Sequence, residues 1–555
     1  MLRELRIAVA VVMLSLVTFY FIDFAGLLPE GFSVLEHIQF VPAVLSLSTA
    51  VLVALVALTL LLGRLYCSVI CPMGIFQDVI ARISRGLGKK PKKKKRYQYS
   101  PARNILRYTL LAATVVALVS GFTLLASLLD PYAAYGRIAA NVFAPVYLAG
   151  NNLLEALFTA MGNYTFYRMD IYVRSAFALS IALLTLLGVG YLAWKHGRTY
   201  CNTICPVGTF LGLISRFSWW KIRIDPAKCT HCGVCATRCK ASCIDSRNQR
   251  IDYSRCVDCF DCLDACRQDA LSFSAPKKAS VLPSEAAPAK AAPKDPSRRE
   301  FLATTLAATL TVPALMAQGH GQQERLRLRD GSGHTRQVPI SPPGSLGHEH
   351  LGQHCTACHL CISKCPSRVL KPALLEYGLS GMMQPMMYFD KGFCNYDCTV
   401  CSDVCPNGAI LPLSVEEKHR TQVGRVVFVE DFCIVHTDGT SCGACSEHCP
   451  TQAVSMIPYR DGLTIPHTNP QICVGCGGCE YVCPATPHKA IYVEGEAVHQ
   501  EALRSKIPAR MKSSSTASDS DAAKKTPPFN VLNGSVFLLF LSSMGASLTD
   551  RHPPR

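Results

Sequence analysis

Cysteine carries most of the chemistry in this sequence, with 29 cysteines among 555 residues. Four runs share the spacing Cys-x2-Cys-x2-Cys-x3-Cys: Cys229, Cys232, Cys235, Cys239; Cys256, Cys259, Cys262, Cys266; Cys355, Cys358, Cys361, Cys365; and Cys473, Cys476, Cys479, Cys483. Two looser runs keep the same ending, followed by Pro: Cys394, Cys398, Cys401, Cys405; and Cys433, Cys442, Cys445, Cys449. Six runs of four thiols therefore need one explanation.

Thiolates that recur at this spacing are typical of cubane [4Fe-4S] clusters. Three sulfurs of one run hold one cluster, and the fourth crosses to a second cluster. Disulfide frameworks do not repeat one spacing in this way, and structural zinc sites use paired Cys-x2-Cys knuckles. The sequence therefore predicts about six [4Fe-4S] clusters. In the first two runs we expect Cys239 to join the second run and Cys266 to join the first, which leaves Cys243 over.

The third run also matches a different cofactor pattern. Cys355-Thr-Ala-Cys358-His359 has the spacing at which c-type haem is attached. Because this run continues to Cys361 and Cys365-Pro, the cluster interpretation is favoured over haem.

A second kind of cysteine pair occurs in a repeat near the N-terminus. The stretch 63–76, which contains Gly-Arg-Leu-Tyr-Cys-Ser-Val-Ile-Cys-Pro, recurs as Gly-Arg-Thr-Tyr-Cys-Asn-Thr-Ile-Cys-Pro in 197–210. Duplicated halves of a membrane unit would bring their turns together near the inner surface. The four thiols are Cys67, Cys71, Cys201 and Cys205. They fit one further cluster or a redox-active thiol site; four ordinary reduced thiols are the alternative.

The elements that position these turns are apolar segments long enough to cross a bilayer. They cover residues 7–28, 41–62, 108–129 and 175–194. The formal net charge is +17, and ten Lys and Arg residues fall between Arg82 and Arg103, whereas residues 27–40 contain none. The positive-inside rule assigns this basic stretch to a cytoplasmic loop, so it does not indicate nucleic-acid binding.

The next stretch connects two parts of the chain. Ser-Arg-Arg-Glu-Phe-Leu at 297–302, followed by apolar residues to 317, resembles a twin-arginine export signal. This segment is either cleaved or kept as a fifth helix.

We predict a four-helix membrane unit of duplicated two-helix halves, with α+β ferredoxin-like modules. The boundaries are 1–220 for the membrane unit, 221–275 for a two-cluster module, 276–296 for a linker, 297–318 for the signal, 319–350 for a second linker, 351–497 for a four-cluster module and 498–555 for a disordered tail with a short apolar segment.

These motifs together resemble two known families. The first 275 or so residues resemble the NapH family of membrane ferredoxin-type proteins. The chain from Ser297 onward, with Pro342-Pro343-Gly344 and four further runs, resembles the NapG/MauM family. NosR and CcoG relatives share the membrane cysteine pattern, so the pattern indicates electron transfer without indicating one pathway.

The resemblance implies a multi-pass protein of the cytoplasmic membrane. Residues 221–295 would be cytoplasmic, and residues from 320 onward would be periplasmic. Electrons would come from the quinone pool, as in a quinol dehydrogenase component, and pass to a periplasmic reductase or cytochrome. The resemblance also implies that the third run interleaves with the sixth and the fourth with the fifth, so that Cys483 and Cys449 complete the third-run and fourth-run clusters, and Cys365 and Cys405 complete the sixth-run and fifth-run clusters. The alternative function is a maturation or reactivation factor that reduces a metal centre in a partner enzyme.

Overall fold

The computed structural model describes residues 1–23, 27–86, 97–171, 173–276 and 336–503. The proposed export signal at 297–318, most of the basic loop, the linker before the signal and the chain beyond 503 lie outside the described residues. The predictions made for those segments therefore stay predictions.

The first 220 residues are helical, and two of their helices have the length and apolarity needed to cross a membrane. They are α1 (Leu2–Ile22) and α11 (Ala176–His196), each of 21 residues. The remaining helices of this region are α2 (Val34–His37), α3 (Phe40–Leu45), α4 (Thr49–Leu62), α5 (Tyr66–Val69), α6 (Pro72–Gly86), α7 (Asn104–Val119), α8 (Thr123–Leu129), α9 (Pro131–Ile138), α10 (Ala144–Ala160) and α12 (Pro206–Ser215), with π-helical turns at Ala139–Phe143 and Tyr200–Ile204.

Two of the four predicted spans are broken, which corrects the expectation of four continuous helices. Residues 41–62 divide into α3 and α4 around Leu47, which has a positive φ of 53°. Residues 108–129 divide into α7 and α8 around Gly121, at φ 76°. Left-handed backbone at one residue ends a helix because the next amide no longer points along its axis. By length and composition, the described residues thus contain two candidate spans rather than four.

The duplicated halves end their last helix in the same way. Gly63 follows α4 and Gly197 follows α11, both in the left-handed region at φ 78° and 68°. A Cβ atom at Gly63 would lie 2.3 Å from the Asp258 carboxylate, and one at Gly197 would lie 2.5 Å from the Lys240 carbonyl. Each half of the repeat therefore uses a glycine to let one part of the first Cys-rich module approach its backbone.

The Cys-rich modules consist of short elements around their loops. In the first module, β1 (Lys221–Ile224) pairs antiparallel with β4 (Leu271–Ser274), and β2 (Ile244–Asp245) pairs with β3 (Arg250–Ile251). Its helix is α13 (Val234–Arg238). The second module has the strand pairs β5 (Leu370–Pro372) with β6 (Pro385–Met387), β7 (Thr421–Phe428) with β10 (Ile491–Glu501), and β8 (Val454–Pro458) with β9 (Thr464–Thr468).

One-turn and two-turn helices complete the second module. They are α14 (His348–His354), α15 (Leu360–Lys364), α16 (Val400–Asp403), α17 (Val415–Lys418), α18 (Ile434–Thr437), α19 (Ala444–Glu447) and α20 (Gly478–Val482). Within the described residues, every sheet has only two strands. The predicted α+β ferredoxin-like fold is thus present only as strand pairs and short helices, without a larger sheet.

Candidate metal centres

The four regularly spaced runs share one backbone conformation. In each run, the residue before and the residue after the second cysteine have positive φ. These pairs are His231 and Gly233, Asp258 and Phe260, Ala357 and His359, and Gly475 and Gly477. Five of the eight are not glycine, although L-residues adopt this region infrequently. The repeated geometry winds each loop tightly, as the sequence spacing requires if three sulfurs are to face one cluster.

One cysteine site in the first module surrounds a small apolar cavity. Cys239, Cys256, Cys259 and Cys262 line it together with Cys243, and apolar groups such as Ile222 and Val257 complete the wall. Cys239 thus lies with the second run, where the crossing pattern requires it. We call this group of Cys239, Cys243, Cys256, Cys259 and Cys262 the five-thiol centre.

The other site of the first module lies nearer to solvent. Cys232 is exposed, and Cys229 and Cys235 are partly exposed. Cys266, which the crossing pattern assigns to them, is also partly exposed. We call this group the exposed centre.

The second module overturns the predicted interleaving of its runs. Cys433, Cys442, Cys445 and Cys483 line one apolar cavity, so Cys483 belongs with the fifth run and not with the third. Burial, followed by the neighbouring thiols Cys442 and Cys483, raises the pKa of Cys445 to about 12.

The remaining fourth cysteines of this module also lie with the run that is their neighbour in the sequence. Burial and the nearby Cys405 thiol raise the pKa of Cys355 to about 12. Burial also raises the pKa of Cys476 to about 12, with Cys473 and Cys449 adding to the shift. Cys401 lies in the electrostatic field of Cys365. The third run therefore interleaves with the fourth, and the fifth run with the sixth. The packing of α15 on α16 and of α19 on α20 brings these runs together.

These thiol groups fit iron–sulfur clusters chemically. Several buried thiols that face one another resist ionisation unless a cation compensates their charge, and bound iron supplies that charge. Backbone amides already point at the sulfurs: the N–H groups of Gly475 and Ala357 donate to Cys473 and Cys355 over 3.3 Å, and Ala453 N–H donates to Cys449 over 3.1 Å. In the described part of the chain, no three His, Cys, Asp or Glu side chains converge on a single metal ion. A cubane differs from such a site because each thiolate binds its own iron.

Haem attachment at the third run is disfavoured by the position of His359. This side chain is 2 % exposed, and burial lowers its pKa to about 3. Its Nδ1 lies 3.0 Å from Asn141 Nδ2, and its Nε2 lies 3.1 Å from the Met383 carbonyl. Both ring nitrogens are thus engaged, so neither is free to ligate a haem iron.

The two Cys-x3-Cys-Pro turns of the repeat interlock, as duplication predicts. Cys67, Cys71, Cys201 and Cys205 are all buried and lie close enough to influence one another electrostatically. Gln77 of the first half donates to Cys201 Sγ over 3.1 Å. We call these four cysteines the membrane thiol site.

Two buried arginines tie the halves of this site together. Arg64 of the first half donates to the Cys201 carbonyl over 3.3 Å and lies 3.7 Å from Cys67 Sγ. Arg198 of the second half donates to the Cys67 carbonyl over 2.7 Å. Both guanidinium groups are fully buried, and positive charge near thiols favours their ionised form. The sequence analysis missed both residues, although each follows the repeated glycine as Gly-Arg.

Comparisons with known proteins find iron–sulfur families over several of these cysteines. A family model described as a 4Fe-4S binding domain matches residues 45–91 and 175–225, each containing one Cys-x3-Cys-Pro turn. A model described as a 4Fe-4S dicluster domain matches residues 440–486. No solved structure matches the chain.

Several curated proteins are similar to parts of the chain. The ferredoxin-type protein NapF of Escherichia coli K12 is 29% identical over 154 residues, which cover 28% of this chain and 85% of NapF. The ferredoxin-type protein NapG of the same strain is 29% identical over 171 residues, covering 28% of this chain and 71% of NapG. The methylamine utilization ferredoxin-type protein MauM of Methylobacillus flagellatus is 30% identical over 156 residues, covering 26% of this chain and 63% of MauM. These matches support a polyferredoxin family and an iron–sulfur electron carrier.

Proposed function

We propose that the chain is a membrane-bound electron conduit that takes electrons from quinol and delivers them to a periplasmic reductase or cytochrome. In this proposal it combines a NapH-like membrane unit with a NapG/MauM-like polyferredoxin. Six groups of four cysteines hold [4Fe-4S] clusters, and the membrane thiol site holds a further redox centre. The clusters supply one-electron chemistry, whereas the protein sets their ligation, spacing and surroundings.

The observation that carries the proposal is the position of the two Cys-rich modules at opposite ends of α1. At its start, Arg3 donates to Asp261 and Asp264 of the first module over 3.0 and 2.9 Å. Just beyond its end, Asp23 accepts a hydrogen bond from Lys364 of the second module over 3.4 Å. A 21-residue helix is about 30 Å long, which is the thickness of the bilayer hydrocarbon core.

Helix α11 repeats this arrangement in the reverse direction. Arg174, before its start, donates to the Ser363 carbonyl of the second module over 3.4 Å. Arg198, after its end, donates its backbone N–H to the Lys240 carbonyl of the first module over 3.0 Å. Two antiparallel apolar helices thus separate the same two modules, which supports one module on each face of a membrane.

The membrane thiol site lies on the side of the first module. Arg64, which approaches Cys67, also donates to the Ser254 carbonyl over 3.0 Å, and its backbone N–H donates to the Asp258 carboxylate over 2.9 Å. Asp258 lies between two cysteines of the five-thiol centre. Packed protein thus connects the two sites without an intervening solvent layer.

A second chain of buried contacts leads toward the second module. Tyr200, next to Cys201, donates to the Leu129 carbonyl over 3.2 Å at the end of α8. In the adjoining α9, Arg137 donates to the Ala357 carbonyl over 3.2 Å, one residue before Cys358. These contacts support a continuous protein path between the centres of the two modules.

Quinol oxidation by the purified full-length protein tests the proposal. Protein prepared anaerobically in lipid nanodiscs is mixed with a reduced quinol and a water-soluble electron acceptor, and turnover is followed optically. We expect sustained turnover, together with iron and sulfide for about six clusters or more. Cys201→Ser tests the membrane thiol site, and we expect slow turnover with iron retained in both modules. Full iron content with a single reduction event and no turnover would favour a maturation factor instead.

A further inference from the structure

Cys243 occupies a position that other runs fill with a small apolar residue. Counting four residues beyond the last cysteine of a run gives Ala270, Val369, Ala409 and Ala453 in four of the other five runs. All four side chains are at most 4 % exposed. The same count from Cys239 gives Cys243, which is 1 % exposed. A thiol thus replaces an alkyl group at a place that the fold keeps against the cluster loop.

The geometry around Cys243 places its sulfur inside a cluster site. Its Sγ lies 3.5 Å from Cys239 Sγ, and it lines the same cavity as Cys256, Cys259 and Cys262. The contact alone does not fix which sulfur donates. A Cys239 sulfur that ligates iron carries no proton, because metal ligands must be deprotonated. The S–H donor of the pair is then Cys243.

Other runs show what the fourth cysteine receives without this thiol. Cys449 accepts a hydrogen bond from Ala453 N–H over 3.1 Å, and Cys405 accepts one from Ile410 N–H over 3.4 Å. Backbone donors of this kind accompany several cluster loops of this chain. Side-chain hydroxyls also lie near two of these sulfurs: Ser367 Oγ is 3.6 Å from Cys365 Sγ, and Thr451 Oγ1 is 3.7 Å from Cys449 Sγ. Within the described residues, a side-chain S–H outside the predicted ligand set lies beside the fourth cysteine only in the five-thiol centre.

We propose that Cys243 is a positioning residue of the five-thiol centre that donates its S–H to the ligating sulfur of Cys239 and raises the reduction potential of that cluster relative to the same centre without the thiol. Hydrogen bonds to the sulfurs are among the properties that tune iron–sulfur potentials, and a donor favours the more negative, reduced state. This inference rests on the proposed function, in which Cys239, Cys256, Cys259 and Cys262 ligate the cluster.

The consequence concerns where electrons reside in the first module. The five-thiol centre adjoins the membrane thiol site through Asp258 and Arg64. A higher potential at the five-thiol centre shifts the electrons of this module toward the helices and away from the exposed centre with its solvent-facing Cys232. Cys243 would then bias the module toward exchange with the membrane unit.

A redox titration of the full-length protein, followed by electron paramagnetic resonance, tests the inference. The exposed centre is identified by faster relaxation on addition of a water-soluble paramagnetic ion, because Cys232 is accessible. We expect Cys243→Ala to keep the full iron content and to shift the potential of the slowly relaxing centre to a more negative value. Cys243→Ser keeps a donor and should give a smaller shift. Ala270→Cys adds a thiol at the matching position of the neighbouring run and should shift the exposed centre to a more positive value.

Two results would overturn the inference. Loss of one cluster in Cys243→Ala would make Cys243 a ligand and not a hydrogen-bond donor. An unchanged potential with full iron content would remove its tuning role. Absence of iron from the first module of the unmodified protein would instead refute the proposed function on which the inference rests, and the two failures are distinguished by the iron assay alone.

Discussion

The two Cys-rich modules are attached to the helices by different chemistry. At the first module, Asp78 is surrounded by three cations: Arg6 and Arg198 lie 2.7 Å from its carboxylate, and Lys240 lies 3.2 Å from it. Lys240 also pairs with Asp261 over 3.0 Å. All these groups are buried. Removing one charge from such a group leaves others without compensation, so this junction depends strongly on single residues.

The second module is attached mainly by hydrogen bonds to backbone carbonyls, together with one ion pair between Lys364 and Asp23 over 3.4 Å. Arg137 donates to Ala357 over 3.2 Å, Thr123 donates to Gly352 over 2.7 Å, and Ser363 donates to Phe21. A neutral bond of this kind contributes about 0.5–1.5 kcal/mol, and one from a charged donor such as Arg137 about 1.5–3 kcal/mol. The comparison indicates that the first junction fails as a unit, whereas the second weakens in small steps.

The largest effect is expected at the centre of the first junction. Asp78→Ala leaves three buried cations without their shared carboxylate, and breaking a buried ion pair destabilises a protein by about 3–5 kcal/mol. We expect residues 221–275 to become protease-sensitive and to lose iron, while the second module keeps its iron. Asp170→Ala is the control, because Asp170 is exposed and its carboxylate makes a long ion pair of 3.9 Å with Arg368. Equal protease resistance in the two variants would contradict the comparison.

A pH dependence is expected at the second junction. Glu36 is fully buried, and burial raises its pKa to about 8 despite the nearby Tyr132 hydroxyl and Lys364. The folded state therefore holds a proton that the unfolded chain releases above about pH 4.5. The free energy of unfolding should fall as the pH rises from that value to about 8, by at most about 1.4 kcal/mol per pH unit.

Glu36→Gln tests this dependence because it keeps the shape and removes the titration. Thermal unfolding of the full chain at pH 5, 6, 7 and 8, taken as convenient values across the window, should show a flatter profile in the variant. A parallel decline in both proteins would assign the pH effect to other groups.

A smaller effect is expected from one hydrogen bond of the second junction. Ser363→Ala removes the donor to Phe21 and should destabilise the junction by about 0.5–1.5 kcal/mol. Hydrogen exchange of residues 351–365 should rise modestly while iron content stays unchanged. Ser272→Ala, at the exposed position of strand β4 in the first module, is the matched control and should leave this exchange unaltered.

The smallest effect is expected at the rim of the first junction. Arg3 is partly exposed and pairs with the exposed Asp264 over 2.9 Å. It also pairs with the buried Asp261 over 3.0 Å, but Asp261 keeps Lys240 as a partner when Arg3 is removed. Arg3→Ala should therefore change stability by about 0.2–1 kcal/mol, and high salt should reduce the difference. Denaturation of both proteins at low and high ionic strength measures this change in stability. A loss of stability as large as that of Asp78→Ala would contradict the small effect and show that all ion pairs of this junction act as one network.

The spacing of the cysteines was enough to predict the thiol groups, but it did not show which runs share a fourth cysteine. The spacing predicted the thiol groups, and the Cys-x3-Cys-Pro repeat predicted the meeting of Cys67 with Cys201. The pairing of Cys483 was predicted wrongly, because identical motifs carry no information on which run crosses to which. Local packing of α19 on α20 decides that pairing. The breaks at Leu47 and Gly121 were also missed, since hydropathy alone does not report backbone conformation.

Charged side chains inside the apolar unit were the other omission. Arg64 and Arg198 stand in the repeat beside the cysteines, yet a sequence pattern does not show whether an arginine faces lipid, water or a carboxylate. Asp78 and Lys240 are separated by more than 160 residues, so only the fold brings them together. The Gly-Arg pair at the start of both repeats is the signal that could have found two of these four.

Labelling of the two modules from each side of the membrane tests the central claim most directly. Single epitopes are inserted at Asn248, in an exposed turn of the first module, and at Gly439, in an exposed turn of the second. Antibody or protease is then applied to sealed spheroplasts and to inverted vesicles. We predict that the Gly439 epitope is reached only in spheroplasts and the Asn248 epitope only in inverted vesicles. Access to both epitopes from the same side would contradict the placement of the two modules on opposite faces.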